Sequence, residues 1–140
     1  MNKINNFKKS ENIEFLRNLF DKWNKGLQTK SPEVVADFYT EDCLFLPTLN
    51  WEFKKWKKWV LEYFKHFLKT NPTWKIVEDA VEKLSDNAYL HTWLYNFEVD
   101  WNNKWERKIL EARFTYTWKN LWDNNWKITH HHSSLRPKDN

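Results

Sequence analysis

The segment "WKITHHHSS", from Trp126 to Ser134, sets three consecutive histidines in a strand-like run. Histidine is the side chain whose ordinary pKa lies nearest neutral pH, so such a group suits ligand binding or acid–base work. Strand alternation puts Trp126, Ile128, His130 and His132 on one face and Lys127, Thr129, His131 and Ser133 on the other. If Trp126 and Ile128 face the interior, His130 and His132 meet a pocket. Two same-face histidines fill only part of a metal shell, and no metal is expected. Arg113, within "EARFTYTW", is a cation in an aromatic-rich strand and is costly to bury without a partner such as Glu111 or Glu98. Together with His130 and His132 it would favour a small carboxylate or other anion; alternation does not decide which face of its strand is concave. Tyr39, Tyr63 and Tyr95 offer phenols, though each sits in an apolar pattern that equally suits a core. Asp42, in "YTEDCLF", fits a turn cap or a base. The sequence holds no serine–histidine–acid order, phosphate loop or zinc motif, and no cofactor is expected.

The elements that must position these groups fall into two halves. Residues 1–9 are polar and read as a disordered tail; Ser10 then caps a helix over about 11–28, with Ile13, Leu16, Leu19, Phe20, Trp23 and Leu27 at helical spacing. Ser31 and Pro32 start a second, short helix ending near Tyr39. "CLFLP" is a brief buried strand, and "KKWVLEYFKHFLKTNP" a third amphipathic helix. After Pro72 the period falls to 2, giving antiparallel strands over about 74–84, 88–100, 105–119 and 126–134, separated by polar turns. Helices first and hairpins second define an α+β domain over 10–137 with its helices on one face of a curved antiparallel sheet, and 138–140 as a short tail.

Bulk properties narrow the function further. A chain of 140 residues suits one domain. No apolar run approaches the roughly 20 residues that span a bilayer and the N-terminus lacks a signal-peptide core, so a cytoplasmic protein without a membrane partner is expected. The single cysteine, Cys43, excludes an internal disulfide framework and reads as a small buried residue. A net charge of +4 comes from 23 basic and 19 acidic residues that are interspersed, a weak signal for any anionic partner. The lysine–tryptophan stretch "EFKKWKKWVLEY" resembles an aromatic-basic surface, yet no nucleic-acid partner is expected for the reason given next.

The tryptophans are out of proportion. Average usage gives a chain of this length roughly ten glycines; it has one, Gly26, against 11 tryptophans. Trp51, Trp56, Trp59, Trp74, Trp101, Trp105 and Trp122 lie next to polar or turn-forming residues; the family resemblance given below implies aromatic positions at Trp23, Trp118 and Trp126 and leaves these seven and Trp93 as glycine-like, which with Gly26 comes close to the expected number. Lysine and asparagine dominate and arginine is scarce, as AT-rich coding gives. Many of these eight are expected to be native glycines, written as tryptophan because TGA codons were translated with the wrong code; real tryptophans on an aromatic binding surface, or deliberate substitution, are the alternatives. Trp101 and Trp122 would then be strained in their turns, and Trp93 would overpack its surroundings.

The order "WNKGLQTKSPEVVADFYTEDCLFLPTL", "VLEYFKHFLKTNP", "ARFTYTW" and "WKITHHHSSLRP" resembles bacterial proteins related to the association domain of calcium/calmodulin-dependent protein kinase II, of the SgcJ/EcaC type, in the nuclear-transport-factor-2-like (SnoaL-like) superfamily. The resemblance covers residues 13–137. It implies a cone: three helices closing the concave side of a bent sheet, a pocket inside, and a homodimer or larger ring formed across the sheet's outer face. It also implies a small ligand, for which the residues read above make Arg113, His130, His132, Tyr95 and Tyr39 the pocket candidates. The alternative it implies is a small enzyme, an isomerase, cyclase or dehydratase using histidine and arginine acid–base chemistry. Nothing in the chain would bind a nicotinamide or flavin, and no kinase or calmodulin-binding segment is present.

Overall fold

The computed structural model describes the backbone of residues 2–101 and 106–138, and the side chains of those from residue 12 onward. Helix α1 spans Asn2–Gln28 and buries Leu16, Leu19, Phe20, Trp23 and Leu27 along one stripe. It starts well before the expected boundary at 11, so Ser10 lies inside the helix and not at its start. Helix α2, Pro32–Ala36, starts as expected: Ser31 Oγ accepts from the Val34 N–H at 3.3 Å and Pro32 occupies the first turn. Chain continuing as extended backbone ends it early, and β1 takes Tyr39–Leu46, so Tyr39 opens a strand.

A two-residue strand, β2 (Lys54–Lys55), pairs with β1 and leads into α3, Lys57–Phe67, which buries Val60, Phe64 and Phe67. The four long strands follow at β3 (Thr73–Ser85), β4 (Ala88–Trp101), β5 (Glu106–Asn120) and β6 (Trp126–Leu135), within two residues of the expected ranges. The meander is antiparallel as expected, and the sheet order is β2-β1-β6-β5-β4-β3. One pairing departs from a fully antiparallel sheet: β1 runs parallel to β6. The long excursion through α3 and the meander returns the chain beside β1 in the same direction, which sequence alternation cannot reveal. The result is an α+β fold, a curved, unclosed six-stranded sheet with its helices on one face. Among the described residues no helix is long and apolar enough to cross a membrane.

Two offsets in the sheet decide what faces inward. In β3, Ile76 pairs with Tyr95 but Glu78 with Leu94, so Val77 is an extra residue. In β6, Thr117 pairs with His130 but Trp118 with Ile128, so one residue of β6 is again extra. A bulge of this kind switches the face of every later side chain.

The tryptophans divide. Trp51, Trp59 and Trp122 are exposed, Trp101 partly so, and Trp74 and Trp93 enter the interior. Neither Trp101 nor Trp122 has a positive φ, so the strain expected there is absent; in the 121–125 turn Asp123 and Asn124 take the left-handed conformation instead, which their short polar side chains tolerate. Trp105, with the turn expected around it, falls in residues 102–105, outside the described residues. The strained position is Trp56, the N-cap of α3, at φ 77° and ψ 140°, a region that glycine enters freely and a Cβ disfavours by about 1–3 kcal/mol. Trp56 also ties α3 to β1 through its N–H to the Cys43 carbonyl, 3.0 Å. That bond survives any side-chain change, so Trp56→Gly is expected to stabilise the fold by about 1–3 kcal/mol, measured by urea unfolding; an unchanged or lower midpoint contradicts the strain.

Candidate functional site

Inside the curve of the sheet, the β6 offset brings His131 inward, where it is 4% exposed, and turns His130 and His132 to the opposite face. This reverses the expected assignment: Ile128 does face the interior, but the inserted residue breaks the alternation before the histidines. His131 Nδ1 bonds the Tyr39 hydroxyl at 2.9 Å. Phe45 stacks on its ring at 4.5 Å and Tyr116 meets it edge-on at 4.3 Å. Burial in this aromatic shell, with the neighbouring His130 and His132, holds the His131 pKa well below its ordinary value. The same burial pushes the Tyr39 hydroxyl well above its own. The pair is therefore a neutral hydrogen-bonded couple at physiological pH.

Tyr95, the other phenol candidate, also points inward. Its hydroxyl bonds Ser133 Oγ at 2.7 Å and Thr48 Oγ1 at 3.3 Å, and Thr48 bonds Ser133 in turn. Burial pushes the Tyr95 pKa up to about 12, so this hydroxyl triangle is uncharged. A cavity of about 10 Å³ beside it, touched by Trp23, Phe45, Tyr63, Trp74 and His131, has room for about one water. The cone is filled. Outside it, a cleft of about 540 Å³ runs along α3, lined by Leu49, Lys54, Trp59, Glu62 and His66; Tyr63 and Phe67 line both spaces and separate them.

A second buried polar group was not anticipated. The β3 offset turns Asp79 inward, where its carboxylate receives Arg17 Nε at 2.9 Å and Arg17 Nη2 at 2.5 Å, and lies 2.9 Å from His91 Nε2. The Asp79 and His91 side chains are 2% and 0% exposed. Burial raises the Asp79 pKa, but the bonds from Arg17 and His91 outweigh it and the net shift is downward. Burial lowers the His91 pKa and Asp79 only partly restores it. One sequence signal could have exposed this group: Trp74 and Ile76 are two apart, whereas the next inward apolar residue, Val81, is five further on, an odd step that a regular strand cannot make. For His131 no such signal exists, since three identical residues hide an offset.

Arg113 lies on the outer face with His130 and His132. It pairs across the sheet with Ser134 and donates from Nε to the Ser134 hydroxyl at 3.0 Å, not to a carboxylate. Arg113, Thr92, Thr115, His132 and Ser134 border a depression of about 380 Å³. The structure thus groups the five candidates into two sets: Tyr39 and Tyr95 inside, and Arg113, His130 and His132 outside. Asp42 is exposed on β1, not in a turn, because the strand starts at Tyr39. Cys43 is fully buried, and burial lifts its thiol pKa to about 12.

Three helices on a bent, mixed sheet match the cone fold of the nuclear-transport-factor-2-like superfamily. Within that class, the family described as the calcium/calmodulin dependent protein kinase II association domain matches residues 12–137, and the chain belongs to it. The association-domain protein of Xanthomonas campestris is similar at 32% identity and TM-score 0.84, with 89% of this chain and 87% of that chain covered. A nuclear-transport-factor-2-like superfamily protein of Salmonella enterica shares the fold at 15% identity and TM-score 0.77, over 91% of this chain and 92% of that one. So does the association domain of the C. elegans kinase, at 12% identity and TM-score 0.73, over 91% of this chain and 98% of that one. No curated protein matches the sequence.

The buried histidines set a pH dependence. His91 and His131 both have folded pKa values below the ordinary 6.5, so the unfolded chain binds more protons as pH falls through that value. Stability is then fully present above about 6.5 and declines below it. The urea midpoint is expected to hold from pH 7.5 to about 6.5 and to drop from there to about 5.5, and His131→Phe to flatten that drop; a midpoint that rises on acidification contradicts the assignment.

Proposed function

We propose that this chain is a self-associating domain that assembles through the outer face of its sheet and holds a small anionic group there. The observation that carries the reading is the one-sided cover of the sheet. All three helices pack on the inner face, while the outer face of β4, β5 and β6 carries nothing from the described chain. On it, Leu90 and Leu94 lie half-buried around Thr115, Thr117 and His130. Leu44 and Leu46 extend the same surface through their pairing with His130 and His132. A face of leucine and threonine with a few basic groups matches the mixed composition of protein interfaces. Arg113 and His132 in the depression described above suit a carboxylate or similar anion, arginine being the stronger binder of the two. The family's description as an association domain supports the reading.

An acid–base enzyme of the SnoaL-like kind is the alternative, resting on the His91–Asp79 pair. Self-association is preferred because both side chains are shut off from solvent. Size-exclusion chromatography with light scattering tests the proposal: a dimer or larger ring is expected at micromolar concentration, and Leu94→Lys, a charge placed at the centre of the face, is expected to weaken assembly about tenfold or more. A wild-type monomer, or a variant that assembles unchanged, overturns it.

A further inference from the structure

The histidines on the sheet fall into two kinds. His91 and His131 face inward, and each has one ring nitrogen held by a side chain, Asp79 or Tyr39, at 2.9 Å. His130 and His132 face outward, the first half-buried and the second exposed, and among the described residues neither ring is held by a hydrogen bond or an ion pair. Their spacing is that of a chelate. Two residues along a strand return to the same face about 6.5 Å apart. Two imidazoles bound to one zinc ion need their nitrogens about 3.3 Å apart at tetrahedral angles, and rotation about the side-chain bonds closes that gap. The flanking positions suit the same chemistry: His130 pairs with Thr117 on β5 and Leu44 on β1, and His132 with Thr115 and Leu46. The pair thus runs between threonines and leucines, with no carboxylate at any of those four positions. Neutral nitrogen ligands without a carboxylate select zinc, nickel or copper over magnesium and calcium.

We propose that His130 and His132 from two copies of the chain together bind one zinc ion within the outer-face contact. Within one chain the pair fills half of a tetrahedral shell, and among the described residues no group of three or more histidine, cysteine, aspartate or glutamate side chains is placed to hold a metal. The site is therefore incomplete without a second copy. The inference rests on the assembly through the outer face argued above, and the topology shows how a copy completes the shell. In a two-fold contact the same patch lies on both partners, and β6 is one of the two central strands of the six-stranded sheet. The proposed axis crosses the face at β6 and sets the two histidine pairs facing each other. Zinc takes four nitrogen ligands in a tetrahedron, which two pairs approaching from opposite sides supply. With zinc bound, His132 is a ligand and an anion in the neighbouring depression is left to Arg113, whose Nε is held by Ser134. An ion that binds only the assembled form stabilises it by mass action, so zinc tightens the assembly.

The chain stripped with EDTA and dialysed is titrated with Zn2+ alone, with uptake followed by calorimetry and assembly by analytical ultracentrifugation. It is expected to be assembled before zinc is added, to take up one zinc per two chains, and to show a dissociation constant about tenfold or more lower with zinc. His130→Asn and His132→Asn are each expected to abolish both the uptake and the tightening, so that either variant assembles equally with and without zinc. His66→Asn, a change to an exposed histidine on α3, is expected to leave both effects in place. Uptake of one zinc per chain, or uptake that survives His130→Asn or His132→Asn, overturns the site. An assembled chain that takes up no zinc overturns the inference and leaves the assembly standing, whereas a chain that is monomeric with and without zinc overturns both. Should a variant fail to fold, the stoichiometry of the unsubstituted chain decides alone.

Discussion

A single inserted residue in β6 governs the chemistry of the interior. Strand side chains alternate strictly, so one extra residue sends the whole remainder of the strand to the other face. Here it places His131 and Ser133 among the aromatics and hands His130 and His132 to the outer surface. A buried imidazole is tolerable only when neutral and hydrogen-bonded; the Tyr39 hydroxyl meets that requirement, and Tyr39 is in place because only two residues separate the end of α2 from the start of β1. The β3 offset does the same for Asp79, whose charge is stabilised by Arg17 from α1 and by His91 from the neighbouring strand. Each offset thus fixes a polar link between the sheet and another element.

Around these links the cone is held by aromatic packing. Trp23, Phe45, Phe64, Phe114, Tyr116 and Trp118 are all nearly inaccessible, and removing such a ring typically costs 3–5 kcal/mol. The parallel β1–β6 pairing closes one side of the curve and brings Phe45 onto His131. A packed interior leaves the outer sheet face as the large surface still open to a partner, which is why the proposed assembly is sited there and why Arg113 and His132 belong to it.

Much of this was legible in the sequence, and the failures are specific. The shift from period 3.6 to period 2 after Pro72 located all four long strands, because each carries enough alternating residues to show its period and each turn is marked by Asn, Asp or Ser. The Ser31–Pro32 start of α2 was equally plain, since the cap is a local hydrogen bond. The residues quoted for the family resemblance led to the family that the chain belongs to. What could not be read was orientation after an offset. Regular alternation assigned His130 and His132 to the interior, and a bulge formed within "ITHHH" leaves no compositional trace. Nor could the link from Arg17 to Asp79 be read, because it joins residues 62 apart. Trp56 has a φ that glycine adopts freely, whereas Trp101 and Trp122 are not strained; beside Trp122 the turn geometry is taken up by Asp123 and Asn124.

The inward placement of His131 is the claim on which the interior chemistry and the freedom of the outer face both rest. Its most direct test is an NMR pH titration of the histidine ring protons with His131 assigned by substitution. The account predicts that the His131 signal stays in its neutral form as pH falls from about 7.5 to about 5.5, where an ordinary histidine would become charged. A His131 that titrates at or above about 6.5 would place its ring in solvent, and the offset in β6 would then be wrong.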